Sequence, residues 1–205
     1  MTLLPLLVAV GLSTPAQAGG DGVGIRLKVN SDLFQVSSSE VYYDGEAIDD
    51  SDLKTTTFGL YNVLPRFEAS YLFTPNIEAG LILGYSNIST DVDDSAPTTS
   101  SQLGIHAAYN LKLGDGLRGY IQPMLIMGNQ TSNKGEDTQS AVKATMYGAD
   151  LGLRIKLIKG ATFDPSFEFL TGSAKQFDAD GENVDEKAMM KMSQYGLKGG
   201  ISIKF

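Results

Sequence analysis

Residues 144–158 read ATMYGADLGLRIKLI. Tyr147, Ala149, Leu151, Leu153, Ile155 and Leu157 occupy one set of alternate positions, and Gly148, Asp150, Gly152, Arg154 and Lys156 the other. A side-chain period of two over this length is the signature of a strand with one apolar and one polar face. Residues 101–113 repeat it: Leu103, Ile105, Ala107, Tyr109, Leu111 and Leu113 alternate with Gln102, Gly104, His106, Ala108, Asn110 and Lys112. Six further segments follow the pattern, at 23–35, 59–73, 77–89, 117–129, 161–173 and 192–205. The least regular is 117–129, where Tyr120, Met124 and Ile126 join the polar set. Across the eight segments the apolar face falls on odd numbers, and all fifteen charged residues, nine basic and six acidic, are even-numbered.

The connections alternate as well. Thr74-Pro75-Asn76, Gly114-Asp115-Gly116 and Lys159-Gly160 carry hairpin-turn chemistry. Between them lie long polar stretches, at 36–58, 90–100, 130–143 and 174–191. This order predicts an antiparallel meander with every long loop at one end and every tight turn at the other. Such a meander closes as a soluble barrel with apolar side chains inside, or as a membrane barrel with apolar side chains outside.

Side-chain volume separates the two. The odd face carries Tyr61, Phe67, Tyr71, Phe73, Tyr85, Tyr109, Tyr147, Phe163, Phe167, Phe169, Tyr195 and Phe205, more bulk than an eight-stranded lumen holds. The even face carries Gly24, Gly80, Gly84, Gly104, Gly148, Gly152, Gly172, Gly196 and Gly200, which leave room for long charged neighbours. The even face is therefore expected inside. An odd face in lipid also explains its lack of charge, since Arg or Lys at mid-bilayer costs about 2–4 kcal/mol. Hydrocarbon forces closure, because an open sheet edge there leaves unpaired N–H and C=O groups. Tyr71, Phe73, Tyr85, Phe163 and Phe205, near segment ends, suit aromatic girdles.

Composition narrows function. The chain of 205 residues has no cysteine and one histidine, which excludes disulfide scaffolds, thiol catalysis and multi-histidine metal centres. A net charge of −8 argues against a nucleic-acid partner. The apolar run Leu3–Leu12 is too short to span a bilayer as a helix, and Ala16-Gln17-Ala18 has the small-x-small form of a signal-peptidase site. Residues 1–18 are expected to be a removed secretory signal and 19–205 one barrel domain, although no Lys or Arg precedes the apolar run.

Over 19–205 the chain resembles the small eight-stranded outer-membrane barrels of Gram-negative bacteria, which include the outer membrane protein A transmembrane domain and its single-domain relatives. The most specific element is the terminus, with Tyr195, Leu197, Ile201, Ile203 and Phe205 on alternate positions. The resemblance implies an eight-stranded antiparallel up-and-down transmembrane β-barrel in the outer membrane, and recognition of those five residues by the barrel-assembly machinery.

Three groups are candidate sites. Buried lumen charges must pair, so Arg66, Glu68, Arg118, Asp150, Arg154 and Glu168 are expected to form a salt-bridge network that plugs the barrel. His106 points into the lumen in mid-strand, with no proximity assigned to Ser193 or Ser202, and is expected to be a hydrogen-bonding residue, not a catalyst. The windows 38–53, 90–100, 131–140 and 176–186 hold 16 of the 24 acidic residues and one basic residue, Lys134. Within them Asp91, Asp93, Asp94, Asp178, Asp180 and Glu182 are candidate oxygen ligands for Ca²⁺ or Mg²⁺, bridging to lipopolysaccharide phosphates; solvated, mutually repelling loops are the alternative. The expected protein is a monomeric, non-enzymatic barrel without cofactor, in contact with outer-membrane lipid and lipopolysaccharide, with a structural or surface-interaction role. The rivals are a narrow ion channel, a lipid-modifying enzyme and a soluble secreted ligand-binding barrel.

Overall fold

The computed structural model describes residues 23–48, 53–58, 66–88, 98–132, 140–178, 183–185 and 187–205. Their strands are β1 (Gly24–Tyr43), β2 (Glu46–Ala47), β3 (Leu53–Phe58), β4 (Arg66–Leu72), β5 (Ile77–Ile88), β6 (Thr98–Gly114), β7 (Leu117–Ser132), β8 (Ser140–Ile158), β9 (Ala161–Phe163), β10 (Ser166–Phe177) and β11 (Ala188–Lys204). Each strand pairs antiparallel with its neighbours, and β1 pairs with β11 to close the ring. The short strands β3 and β4 share one stave beside β1, and β9 and β10 share another beside β8, so the wall has eight staves.

Parity survives around almost the whole wall. From β4 through β11 the regular stretches of each ladder join residues of the same parity, such as Glu68 with Ile82, Gly80 with His106, Gln122 with Asp150 and Glu168 with Gly196. The exception lies in β1. Its register against β11 shifts between Asp32 and Phe34, after which Phe34 faces Leu197 and Gln35 faces Gly196. The extra residue of a bulge exchanges the two faces of the strand beyond it. The odd apolar face expected over 23–35 thus runs only to Leu33, and polar Gln35 turns inward.

Several expected loops are partly wall. Residues 36–43 continue β1 and pair with β11 as far as Tyr43 opposite Ala188. Residues 53–58, read above as loop, pair with β1, whereas 59–65 of the expected second segment lie outside the described residues. Strands also extend into 130–132, 140–143, 174–177 and 188–191. Asp44 and Gly45, both at positive φ (52° and 90°), turn the chain from β1 into β2, an Asp-Gly hairpin signal inside a stretch read as loop.

The interior is more polar than the exterior. Among the described residues seventeen polar or charged ones are buried against nine apolar ones, while 33 large apolar side chains are exposed. A soluble domain shows the reverse, and a continuous apolar exterior of this kind is stable only against lipid. This excludes the soluble ligand-binding barrel. On β8 the outward apolar set runs from Tyr147 to Leu157; at about 3.4 Å per residue and a tilt near 40° it is about 25 Å tall, the thickness of a membrane-barrel belt. Tyr71 and Phe73 pack edge to face at its turn end, with centroids 5.0 Å apart.

Candidate functional site

Because even residues point inward on every stave, except on β1 beyond its bulge and on β3 paired with it, the lumen collects side chains far apart in the chain. Three carboxylates organise it. Glu78 accepts hydrogen bonds from Arg26 and Arg154, and Arg154 also donates to Asn110 and lies 3.7 Å from Asp164. Glu68 accepts from Asn30 Nδ2 at 2.5 Å, Gln122 Nε2 at 3.0 Å and Lys28 Nζ at 3.5 Å. Glu168 accepts from Arg66 at 2.5 Å, from Gln194 at 3.2 Å and from Lys198, whose ammonium is 4.0 Å from Asp150. Tyr120 lies between two of these groups: Lys28 donates to its hydroxyl at 3.3 Å, and the Arg154 guanidinium lies 4.5 Å from its ring centroid. Gly152 is the residue that admits this ring, since a Cβ there would fall 2.5 Å from it.

Of the six residues expected to form the network, five are buried in it: Arg66, Glu68, Asp150, Arg154 and Glu168. Arg66 and Glu168 meet directly, but Glu68 pairs with Lys28, and Arg154 with Glu78. Arg118 lies at the turn end, donating to the Pro75 carbonyl at 2.7 Å. Arg26, Lys28, Glu78, Asp164 and Lys198 also belong to the network; their even numbers marked them as inward, but the choice of partner depends on which staves face each other.

A second layer fills the lumen toward the loops. Met124 and Ile126 follow Gln122 on β7, Leu170 follows Glu168 on β10, and with Ile82 and Met146 they pack into one apolar cluster. The irregular residues of segment 117–129 are this cluster and the Tyr120 platform.

His106 is buried, and its Nε2 lies 3.3 Å from Ser70 Oγ. The neighbouring serine is thus Ser70; Ser202 bonds Thr162 at 2.7 Å and Ser193 bonds Ser38 at 2.7 Å. Among the described residues no hydrogen-bond partner reaches His106 Nδ1, so the acid that orients a catalytic triad is missing from this pair. Tyr195, Leu197 and Ile201 face outward and exposed on β11, with Ile203 and Phe205 half-buried at its end. Of the candidate metal ligands, Asp91, Asp93, Asp94, Asp180 and Glu182 lie outside the described residues; Asp178 is exposed just past β10. Among the described residues no three His, Cys, Asp or Glu side chains gather as a metal site.

A closed antiparallel ring, an exposed apolar belt and a filled polar lumen define an eight-stranded barrel of the outer-membrane type. No protein-family model and no curated protein matches the chain. Among solved structures the fold is similar to Neisserial surface protein A, at 12% identity over 90% of this chain and 99% of that one, with a TM-score of 0.55. It is also similar to the outer membrane protein OprG from Pseudomonas aeruginosa, at 11% identity over 91% and 98% of the two chains, with a TM-score of 0.51.

Proposed function

We propose that the protein is a closed outer-membrane barrel that acts through its loop end, in a structural or surface-interaction role, and neither transports solutes nor catalyses a reaction. The outer membrane of a Gram-negative bacterium is its site. The observation that carries this reading is the lumen: paired charges occupy one half, and Ile82, Met124, Ile126, Leu170 and Met146 close the other. A hydrophobic constriction blocks ions as well as solutes by dewetting. The buried Ser70–His106 pair is shut off from any lipid substrate.

The wall itself points to the loop end. Past the belt at Phe34, β1 and β11 stay paired to Tyr43, a projection of about 20 Å beyond the membrane surface. Just above the belt Lys143 and Lys175 stand directly opposite each other, exposed and outward-facing. Opposed like charges repel unless an anion lies between them, and the phosphates of lipopolysaccharide are the anions at that level. Divalent cations on the acidic loops would add further bridges to the same phosphates. The closing strand β11 is the element offered to the assembly machinery, and the monomer is complete in itself.

Single-channel recording in planar bilayers tests this reading. The purified barrel should give no discrete conductance steps, and reproducible steps would overturn it in favour of the channel.

A further inference from the structure

The barrel sorts its methionines. Among the described residues Met127 and Met189 take outward positions, whereas Met124, Met146, Met190 and Met192 are even-numbered and take inward ones. Met124 is buried and, with Met146, belongs to the apolar cluster toward the loops. Register carries the line of sulfurs on to an imidazole: Met124 stands directly opposite His106 on one side and Gly148 on the other. Met146 and Met192 both stand opposite Gly172, so no side chain comes between them. The wall fixes Gly148 and Gly172 as glycine, since a Cβ would fall 1.9 and 2.0 Å from a backbone oxygen of the neighbouring stave. Four thioethers thus descend from the loop end, through Met190, Met192, Met146 and Met124, to His106 in mid-barrel.

Methionine fills irregular gaps in many cores, but packing does not account for the imidazole at the foot of this line. His106 is buried, its Nε2 lies 3.3 Å from Ser70 Oγ, and among the described residues nothing hydrogen-bonds its Nδ1. A buried polar atom left unmet is costly, and an ion is one of the groups that meets it. A metal-bound imidazole uses its two nitrogens in this way: one donates its N–H to an acceptor, which fixes the tautomer, and the other presents its lone pair to the metal. Directly opposite residues hold their Cβ atoms about 5 Å apart, and diagonal neighbours stay within reach of long side chains. One ion can therefore meet Nδ1 and the Met124 sulfur together, with Met146, diagonal to Met124, as the third donor.

We propose that His106 Nδ1 with the Met124 and Met146 sulfurs is a binding site for a soft monovalent metal cation of the Cu(I) kind, and that Met190 and Met192 line its approach from the loop end. Thioether sulfur selects Cu(I), imidazole serves it as well, and Mg²⁺ and Ca²⁺ prefer oxygen ligands. Binding exchanges the water around the ion for these donors, with no change of oxidation state. The dewetted layer that excludes hydrated ions offers this one a run of sulfur ligands in place of water. Beyond His106, toward the turns, Glu78 with Arg26 and Arg154 fills the lumen, so the ion is held and not conducted.

The experiment uses the intact barrel in non-ionic detergent and chloride-free buffer, with Ag(I) as an air-stable probe for the same donors. Calorimetric titration and native mass spectrometry should show saturable uptake of one Ag(I) per barrel. With isotopically labelled methionine methyl groups, NMR should show the Met124 and Met146 signals moving on titration while that of outward Met127 stays in place. Met124→Leu with Met146→Leu keeps the volume of the apolar cluster and removes its sulfurs; His106→Ala removes the imidazole. Each variant should weaken Ag(I) binding by about tenfold or more, the least that loss of a supporting group costs a metal site, with the heat-dependent gel mobility shift showing that it still folds. Should a variant fail to assemble, the methyl shifts of the parent protein decide. No saturable Ag(I) uptake, equal affinity in either folded variant, or methyl shifts confined to the outward methionines overturns the inference.

Discussion

Leu151→Arg tests the orientation of the wall. Leu151 sits near the middle of the β8 belt, 54% exposed, with Ile121 of β7 and Phe167 of β10 directly beside it. Four residues separate it from Tyr147 and six from Leu157, which puts the belt edges about 10 and 15 Å away. That is farther than an Arg stem snorkels. The guanidinium must stay in hydrocarbon, at a cost of about 2–4 kcal/mol, whereas Leu157→Arg at the edge should cost about 0–1 kcal/mol. The chain has no tryptophan, so urea unfolding from lipid vesicles is followed by far-ultraviolet circular dichroism, and unfolding free energies are compared between the two variants. Equal penalties at both positions, or none at Leu151, would refute the claim that the odd face meets lipid.

Glu78→Gln leaves two buried guanidiniums without their shared carboxylate and should destabilise the barrel by about 3–5 kcal/mol in the same unfolding assay; adding Arg26→Gln should recover part of the loss. Gly148→Ala places a Cβ 1.9 Å from the Phe169 carbonyl oxygen, so in vivo it should lower the amount of assembled, heat-modifiable barrel. His106→Ala removes one 3.3 Å contact with Ser70 and should leave assembly intact, with lipid A unchanged by mass spectrometry in its presence or absence. Lys143→Glu with Lys175→Glu should reduce lipopolysaccharide co-purification without altering the unfolding midpoint in phosphatidylcholine.

Strand number, strand direction and the inward face were legible in the chain because each is a local property. A period of two shows within a single segment such as 144–158, and the cost of charge in lipid purges one parity wherever the segment lies. What escaped such reading depended on neighbours. The bulge at Leu33 is one residue of extra length, visible only when β1 is laid against β11. The residues expected to form the lumen network were nearly all inward, yet their partners were set by which staves face each other across the barrel: Glu78 meets Arg154, 76 positions away, and Arg66 meets Glu168, 102 away. Ser70 reached His106 through strand β5, because Gly80 between them carries no side chain. Lys112, Arg118 and Arg154 are unremarkable lumen charges one at a time, and only the register of the adjacent strands β6, β7 and β8 sets them level at the turn end. Periodicity and solvent preference act along a strand and are written there; charge partnership and cavity shape act between strands, and folding alone assigns them.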